Sequence, residues 1–102
     1  MAVIDSVLRE ELQRLKALRA RYASQLAEIP SGTVVMKVKS GHKYAYRAYR
    51  KGGRVITDYI GPESSPSVRH VVELLQKRRK ILKDIKALDA DSMRLQKMIN
   101  AK

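Results

Sequence analysis

Thr33-Val34-Val35-Met36-Lys37-Val38-Lys39-Ser40-Gly41-His42-Lys43-Tyr44-Ala45-Tyr46-Arg47-Ala48-Tyr49-Arg50-Lys51-Gly52-Gly53-Arg54-Val55-Ile56-Thr57-Asp58-Tyr59-Ile60 is the stretch that decides the fold. β-Branched and aromatic residues, which suit a pleated, half-buried surface, alternate with lysines and arginines around two glycine-bearing turns. The pattern predicts a three-stranded antiparallel meander with strands at 33–39, 43–50 and 54–60. Side chains alternate at period two. Val34, Met36 and Val38 therefore share one face of the first strand, with Val35, Lys37 and Lys39 on the other. In the second strand Tyr44, Tyr46 and Ala48 oppose Lys43, Ala45, Arg47 and Tyr49. A three-residue Ser40-Gly41-His42 loop matches apolar with apolar and collects the basic residues on one face. The third strand has two registers. A three-residue Lys51-Gly52-Gly53 loop sets Ile56 and Ile60 beside the core face, whereas a two-residue Gly52-Gly53 turn pairs Arg47 with Asp58 and Tyr46 with Tyr59. A slip of one residue swaps the faces, and the three-residue loop is slightly favoured.

On the amino-terminal side, residues 1–29 hold no glycine or proline and are rich in Leu, Ala, Arg and Glu, which lose little rotamer freedom in a helix. Leu8, Leu12, Leu15, Tyr22, Leu26 and Ile29 follow steps of three and four, with Arg19 in the gap of the heptad series. Pro30 ends the helix, because the residue before a proline is pushed out of the α region. On the carboxy-terminal side, 61–65 reads as a linker. Ser65 before Pro66 makes an N-cap followed by proline at the first helical position, and a second helix runs over 66–100. Its stripe is Val71, Leu74, Arg78, Ile81, Ile85, Leu88, Ser92, Leu95 and Ile99, widened by Leu75, Leu82 and Met98. The expected fold class is α+β: two long helices forming an antiparallel coiled-coil hairpin, with a three-stranded antiparallel β-meander inserted between them, all in a single domain over 1–102.

Charge narrows the function. The chain of 102 residues carries 22 Lys+Arg against 10 Asp+Glu, a net +12. The nets by segment are +1 over 1–30, +5 over 31–65 and +6 over 66–102. A nearly neutral first helix beside a strongly basic sheet points to a polyanion-binding surface rather than to general solubility. Lys37, Lys39, Lys43 and Arg47, with Arg50, Lys51 and Arg54 at the hairpin tip, can reach phosphates, and Tyr49 offers a ring for stacking. Arg79 and Lys83, with Lys86, share a face of the second helix; phosphate contact and a solvated exterior are equally weighted there, since Glu73 and Asp84 lie close by. Tyr44 and Tyr46 share parity with the aliphatic residues and read as core rings; Tyr49 and Tyr59 are left open between core and surface.

Catalysis has little support. The chain has His42 and His70 but no cysteine, so no disulfide framework or thiolate zinc site exists, and neither histidine sits in a nucleophile motif. The Gly52-Gly53 pair lacks the spacing and the strand-to-helix context of a phosphate loop. No enzyme activity, metal or cofactor is expected. The start Met1-Ala2-Val3-Ile4-Asp5 lacks a secretory n-region and h-region, and no apolar run approaches the roughly 18 residues of a membrane span. A soluble cytoplasmic protein is expected, nucleoid-associated if it binds DNA.

The run from His42 to Val55, continued by Asp58-Tyr59-Ile60-Gly61-Pro62, resembles a class of small uncharacterised bacterial proteins with a tyrosine-rich sheet between two helices. That resemblance implies the architecture and no activity. The pattern Tyr49-Arg50, Gly53-Arg54 and Ile60-Gly61 also looks like the arm-binding domain of phage tyrosine integrases, where a three-stranded sheet lies against duplex DNA. It would place Lys43, Arg47, Arg50 and Arg54 at DNA-facing positions, and a similar hairpin in some transposases suggests a mobile-element association. The expected function is non-catalytic nucleic-acid binding, DNA favoured over RNA and duplex DNA foremost, with a homodimer through the helix stripes. The alternative is an assembly module, a coiled-coil adaptor or antitoxin-like accessory protein, that recruits an acidic protein partner.

Overall fold

The computed structural model describes residues 2–101. The order is α1 (Ala2–Ala27), β1 (Thr33–Lys39), β2 (His42–Lys51), β3 (Arg54–Pro62) and α2 (Pro66–Asn100). It is an α+β chain in which one antiparallel sheet, in the order β1-β2-β3, lies between two helices in sequence. The chain forms two compact units, one of Ile29–Arg79 and one of the residues up to Glu28 with those from Lys80 onward. Ser65 accepts the Val68 N–H on its hydroxyl at 3.4 Å and on its carbonyl at 3.2 Å, so α2 begins on the expected cap. Helix α1 ends two residues before the expected boundary, with Glu28 N–H donating to the Gln25 carbonyl and the chain bending at Ile29 before Pro30.

In the unit formed by α1 and the later turns of α2, the buried side chains are Leu12, Leu15, Ile81, Ile85 and Ile99. Arg19, the gap in the α1 stripe, makes a two-armed contact with Asp89, Nε to Oδ1 at 2.5 Å and Nη2 to Oδ2 at 3.3 Å. Leu82 and Met98, expected to widen the stripe, are exposed instead.

The sheet unit departs from expectation in its registers. Lys39 pairs with His42, so the first turn has two residues, Ser40 (φ 51°) and Gly41 (φ 78°). Two successive positive φ angles are the signature of a type I′ turn, whose twist matches that of the flanking strands. Serine accepts this conformation at a cost of roughly 1 kcal/mol. Shortening the loop by one residue turns β2 over relative to β1. Val34, Met36 and Val38 therefore stand opposite Arg47, Ala45 and Lys43 rather than beside the tyrosines. The second turn is also the tight one: Lys51 pairs with Arg54 across Gly52 (φ 58°) and Gly53 (φ 78°), which sets Arg47 against Asp58 and Tyr46 against Tyr59. The favoured three-residue loop is thus replaced by its alternative. Ladder pairing then shifts between Tyr46–Tyr59 and Ala45–Gly61, leaving Ile60 as the extra residue of a β-bulge. The shift lets β3 run on through Gly61 and Pro62, which the sequence placed in the linker.

The core face of the sheet is consequently the face of Ala45. That alanine is fully buried at 0 % exposure, and its partner Gly61 is buried as well. A Cβ added at Gly61 would come within 2.8 Å of the Ser65 hydroxyl, so the α2 cap packs directly against Gly61. Val34, on the same face, shares a depression with Val72, Leu75, Gln76 and Arg79 of α2, while Val68, Leu75 and Ile29 complete the buried set. The tyrosines expected in the core, Tyr44 and Tyr46, lie on the opposite face, because the two-residue first turn turned β2 over relative to β1.

Candidate functional site

Register decides which cations can meet a partner. Arg47 belongs to the helix-covered face and is only 20 % exposed. Its Nη1 donates to the Ser31 carbonyl at 2.5 Å, its Nη2 lies 3.6 Å from Asp58 Oδ2, and its guanidinium sits 3.9 Å over the Tyr49 ring. The Tyr49 hydroxyl in turn donates to Asp58. That bond, reinforced by desolvation and the Asp58 charge, raises the phenol above its ordinary pKa of 10.0. Arg47 and Tyr49 together clamp the connector after α1. Arg78 does the same from α2, its Nη1 donating to the Ile29 carbonyl at 3.0 Å. The arginine that interrupted the α2 stripe is a carbonyl cap for the connector.

The opposite face is open. It gathers Tyr44, Tyr46 and Tyr59, with Lys37, Lys39 and Arg50 on the same side by register. Tyr46 and Tyr59 meet edge to face with centroids 5.4 Å apart, and Tyr44 and Tyr59 tilt at 6.4 Å, both within the range of favourable ring pairs. Lys37 Nζ stands 4.6 Å from the Tyr46 centroid, a cation–π contact that fixes its ammonium beside the rings. Lys39, Ser40 and the three tyrosines line a shallow depression of about 330 Å³. The positions that share this face contain no aspartate or glutamate. Among the described residues, Lys37, Lys39, Arg50, Lys51 and Arg54 make no ion pair.

The expected site residues therefore divide. Lys37, Lys39 and Arg50 come together with rings on the open face. Lys43 lies on the other face, 3.9 Å from Glu63, while Lys51 and Arg54 flank the Gly52-Gly53 turn. Arg79 borders the depression beside Val34, and Lys83 belongs to the helical unit. Tyr44, Tyr46 and Tyr59 were not singled out as site residues. The signal for them was the i, i+2 spacing of Tyr44 and Tyr46 together with the tight-turn register that sets Tyr59 opposite Tyr46. Among the described residues no group of three His, Cys, Asp or Glu side chains could hold a metal ion, and no helix is long and apolar enough to cross a membrane.

These features define a small α+β protein whose central meander carries an open, basic, tyrosine-bearing face. A family described as a domain of unknown function, DUF6788, matches residues 7–70, and the chain belongs to that family. The matched span covers most of α1, the whole meander and the first turn of α2. No curated protein and no solved structure matches the chain, so the likeness to integrase arm-binding domains gains no support.

Proposed function

We propose that this chain is a non-catalytic nucleic-acid-binding protein that meets the sugar-phosphate backbone with the open face of its meander. The observation that carries the reading is one sheet face holding three tyrosine rings and three cations without ion pairs, with no carboxylate among them. Lys37 and Lys39 at one end and Arg50 toward the other neutralise phosphates, with Lys51 and Arg54 extending the basic track around the hairpin tip. Released counterions drive association, so affinity falls steeply with salt. Duplex DNA, foremost from the sequence, and single strands share this backbone chemistry. Arg47 serves the scaffold in this reading, not a groove. In the helical unit, the heptad stripes of α1 and α2 pack as an antiparallel coiled-coil hairpin. A nucleoid association follows from the same polyanion affinity.

The test is fluorescence anisotropy with labelled nucleic acids between about 50 and 200 mM salt. Joint replacement of Lys37, Lys39 and Arg50 by alanine is expected to flatten the log–log salt slope by about two to three, near 0.9 per lost phosphate contact on duplex DNA. An unchanged slope overturns the proposed face.

A second reading rests on Val3, Ile4 and Val7, which stand exposed on the first turns of α1. They suit an assembly surface that a second copy or a protein partner would cover. Sedimentation of wild type against Val7→Asp checks it: an oligomer lost in the variant supports assembly, and a monomer in both refutes self-association.

A further inference from the structure

We infer that the depression between Tyr44, Tyr46 and Tyr59 takes an unpaired nucleobase, so that the chain prefers single-stranded nucleic acid to duplex; this rests on the nucleic-acid reading above. A base inside a duplex is stacked on both sides and presents only its edges to a protein, whereas an unpaired base offers a π-face that aromatic side chains recognise without regard to sequence. The open sheet face has the parts this requires. Tyr59 is 57 % exposed and, among the described residues, makes ring contacts with Tyr44 and Tyr46 only, which leaves ring surface available to a ligand. Tyr46 is held from two sides, by the edge contact with Tyr59 and by the Lys37 ammonium 4.6 Å over its ring, so the platform is set before any ligand arrives. Lys39 shares the wall of the depression with the rings, and Lys37 stands directly across the ladder from Tyr44. A base seated among the rings therefore leaves its 5′ or 3′ phosphate within reach of an ammonium group.

Charge favours this occupant over an apolar peptide. The depression carries two cations at its margin and no carboxylate on its face, so an uncharged or cationic segment would gain only ring contacts, whereas a polynucleotide gains stacking and phosphate neutralisation together. The arrangement also explains why large residues occupy the face without a helix. Three tyrosines left half open on a sheet add little to folding compared with burial, and their hydroxyls keep the patch soluble while their rings remain usable.

The experiment compares labelled oligothymidylate of roughly 16 nucleotides, the upper span of a small single-strand module, with a duplex of equal length at one salt concentration. Wild type, Tyr59→Leu and Tyr59→Phe are measured against both. Tyr59 is exposed, and both variants keep an apolar side chain there, so the fold is retained; far-UV circular dichroism verifies it. Expected are tighter binding to the single strand, a loss of about fivefold or more for Tyr59→Leu on the single strand alone, and near-wild-type binding for Tyr59→Phe, which keeps the ring. Duplex bound as tightly as the single strand, or a Tyr59→Leu affinity equal to wild type, overturns this inference while leaving backbone binding intact. Failure of both polymers to bind at low salt overturns the underlying reading as well.

Discussion

Replacing Arg47 with alanine separates a scaffold role from a ligand role at one residue. The side chain is only 20 % exposed and holds three partners at once, the Ser31 carbonyl at 2.5 Å, Asp58 at 3.6 Å and the Tyr49 ring at 3.9 Å. A hydrogen bond from a charged donor contributes about 1.5–3 kcal/mol; Ser31 is exposed and water can replace the donor, which favours the lower end. The ring contact adds about 0.5–1 kcal/mol. The ion pair adds at most about 1 kcal/mol, since the Asp58 side chain is more than half exposed. Arg47→Ala is therefore expected to cost about 2–3 kcal/mol. With a urea dependence of about 1–3 kcal/mol per molar for a small protein, the unfolding midpoint falls by roughly 0.7–3 M, read by circular dichroism and tyrosine fluorescence. Arg50→Ala, on the open face, is the control and should stay within about 0.5 kcal/mol. Equal midpoints for the two variants would refute the assignment of Arg47 to the scaffold.

Other consequences follow from the connector, the cap and the tyrosine–aspartate pair. At Gly32 the backbone has φ 117°, and an alanine Cβ would lie 2.3 Å from the Ala48 carbonyl oxygen, so Gly32→Ala should lower stability by about 2 kcal/mol or more in the same urea series. Ser65→Ala removes the α2 cap and should cost about 1 kcal/mol, while Ser65→Asp, which can still accept the N–H, should recover most of it. Tyr49 has its phenol pKa raised by the hydrogen bond to Asp58. The folded state thus holds this proton more tightly than the unfolded one, and its contribution is present below the unfolded value near 10 and lost as pH rises through the folded value. An alkaline absorbance titration of wild type minus Tyr49→Phe should show a phenol ionising above pH 10, and a difference curve centred at or below 10 would refute the bond.

The elements themselves were legible because each is written in local chemistry. The absence of Gly and Pro before Ile29, Pro30 after it, Ser65-Pro66 at the start of α2 and the two glycine turns all act within a few residues. What was not legible was which face of the meander meets the helix. Both hairpins admit a two-residue or a three-residue turn, and nothing nearby announces that Ser40, rather than a glycine, adopts φ 51°. Parity reasoning then attached the largest residues to the core. It failed because both turns are the two-residue kind, which puts the small pair Ala45 and Gly61, with Gly61 against Ser65, on the buried face and the tyrosines on the other. The same parity reasoning put Arg47 on one face with Lys37 and Lys39, whereas the observed register sets it on the opposite one. Its engagement became visible only once the tight turn set it against Asp58 and the chain after Pro30 brought the Ser31 carbonyl to its guanidinium. Lys37, Lys39 and Arg50 survive as site candidates because they share parity with the tyrosines under the observed registers.

If the face of Tyr44, Tyr46 and Tyr59 meets nucleic acid while the face of Arg47 and Tyr49 serves the fold, only the first set of rings responds to the ligand. The chain has five tyrosines and no phenylalanine or tryptophan, so its aromatic NMR region contains only those rings and the two histidines. Titrating a single-stranded oligonucleotide into the 102-residue chain and following the ring resonances is the most direct measurement. The expected result is progressive shifts for Tyr44, Tyr46 and Tyr59, with Tyr22 and Tyr49 unmoved. Shifts centred on Tyr49, or none on the three open-face rings at saturating ligand, would contradict it.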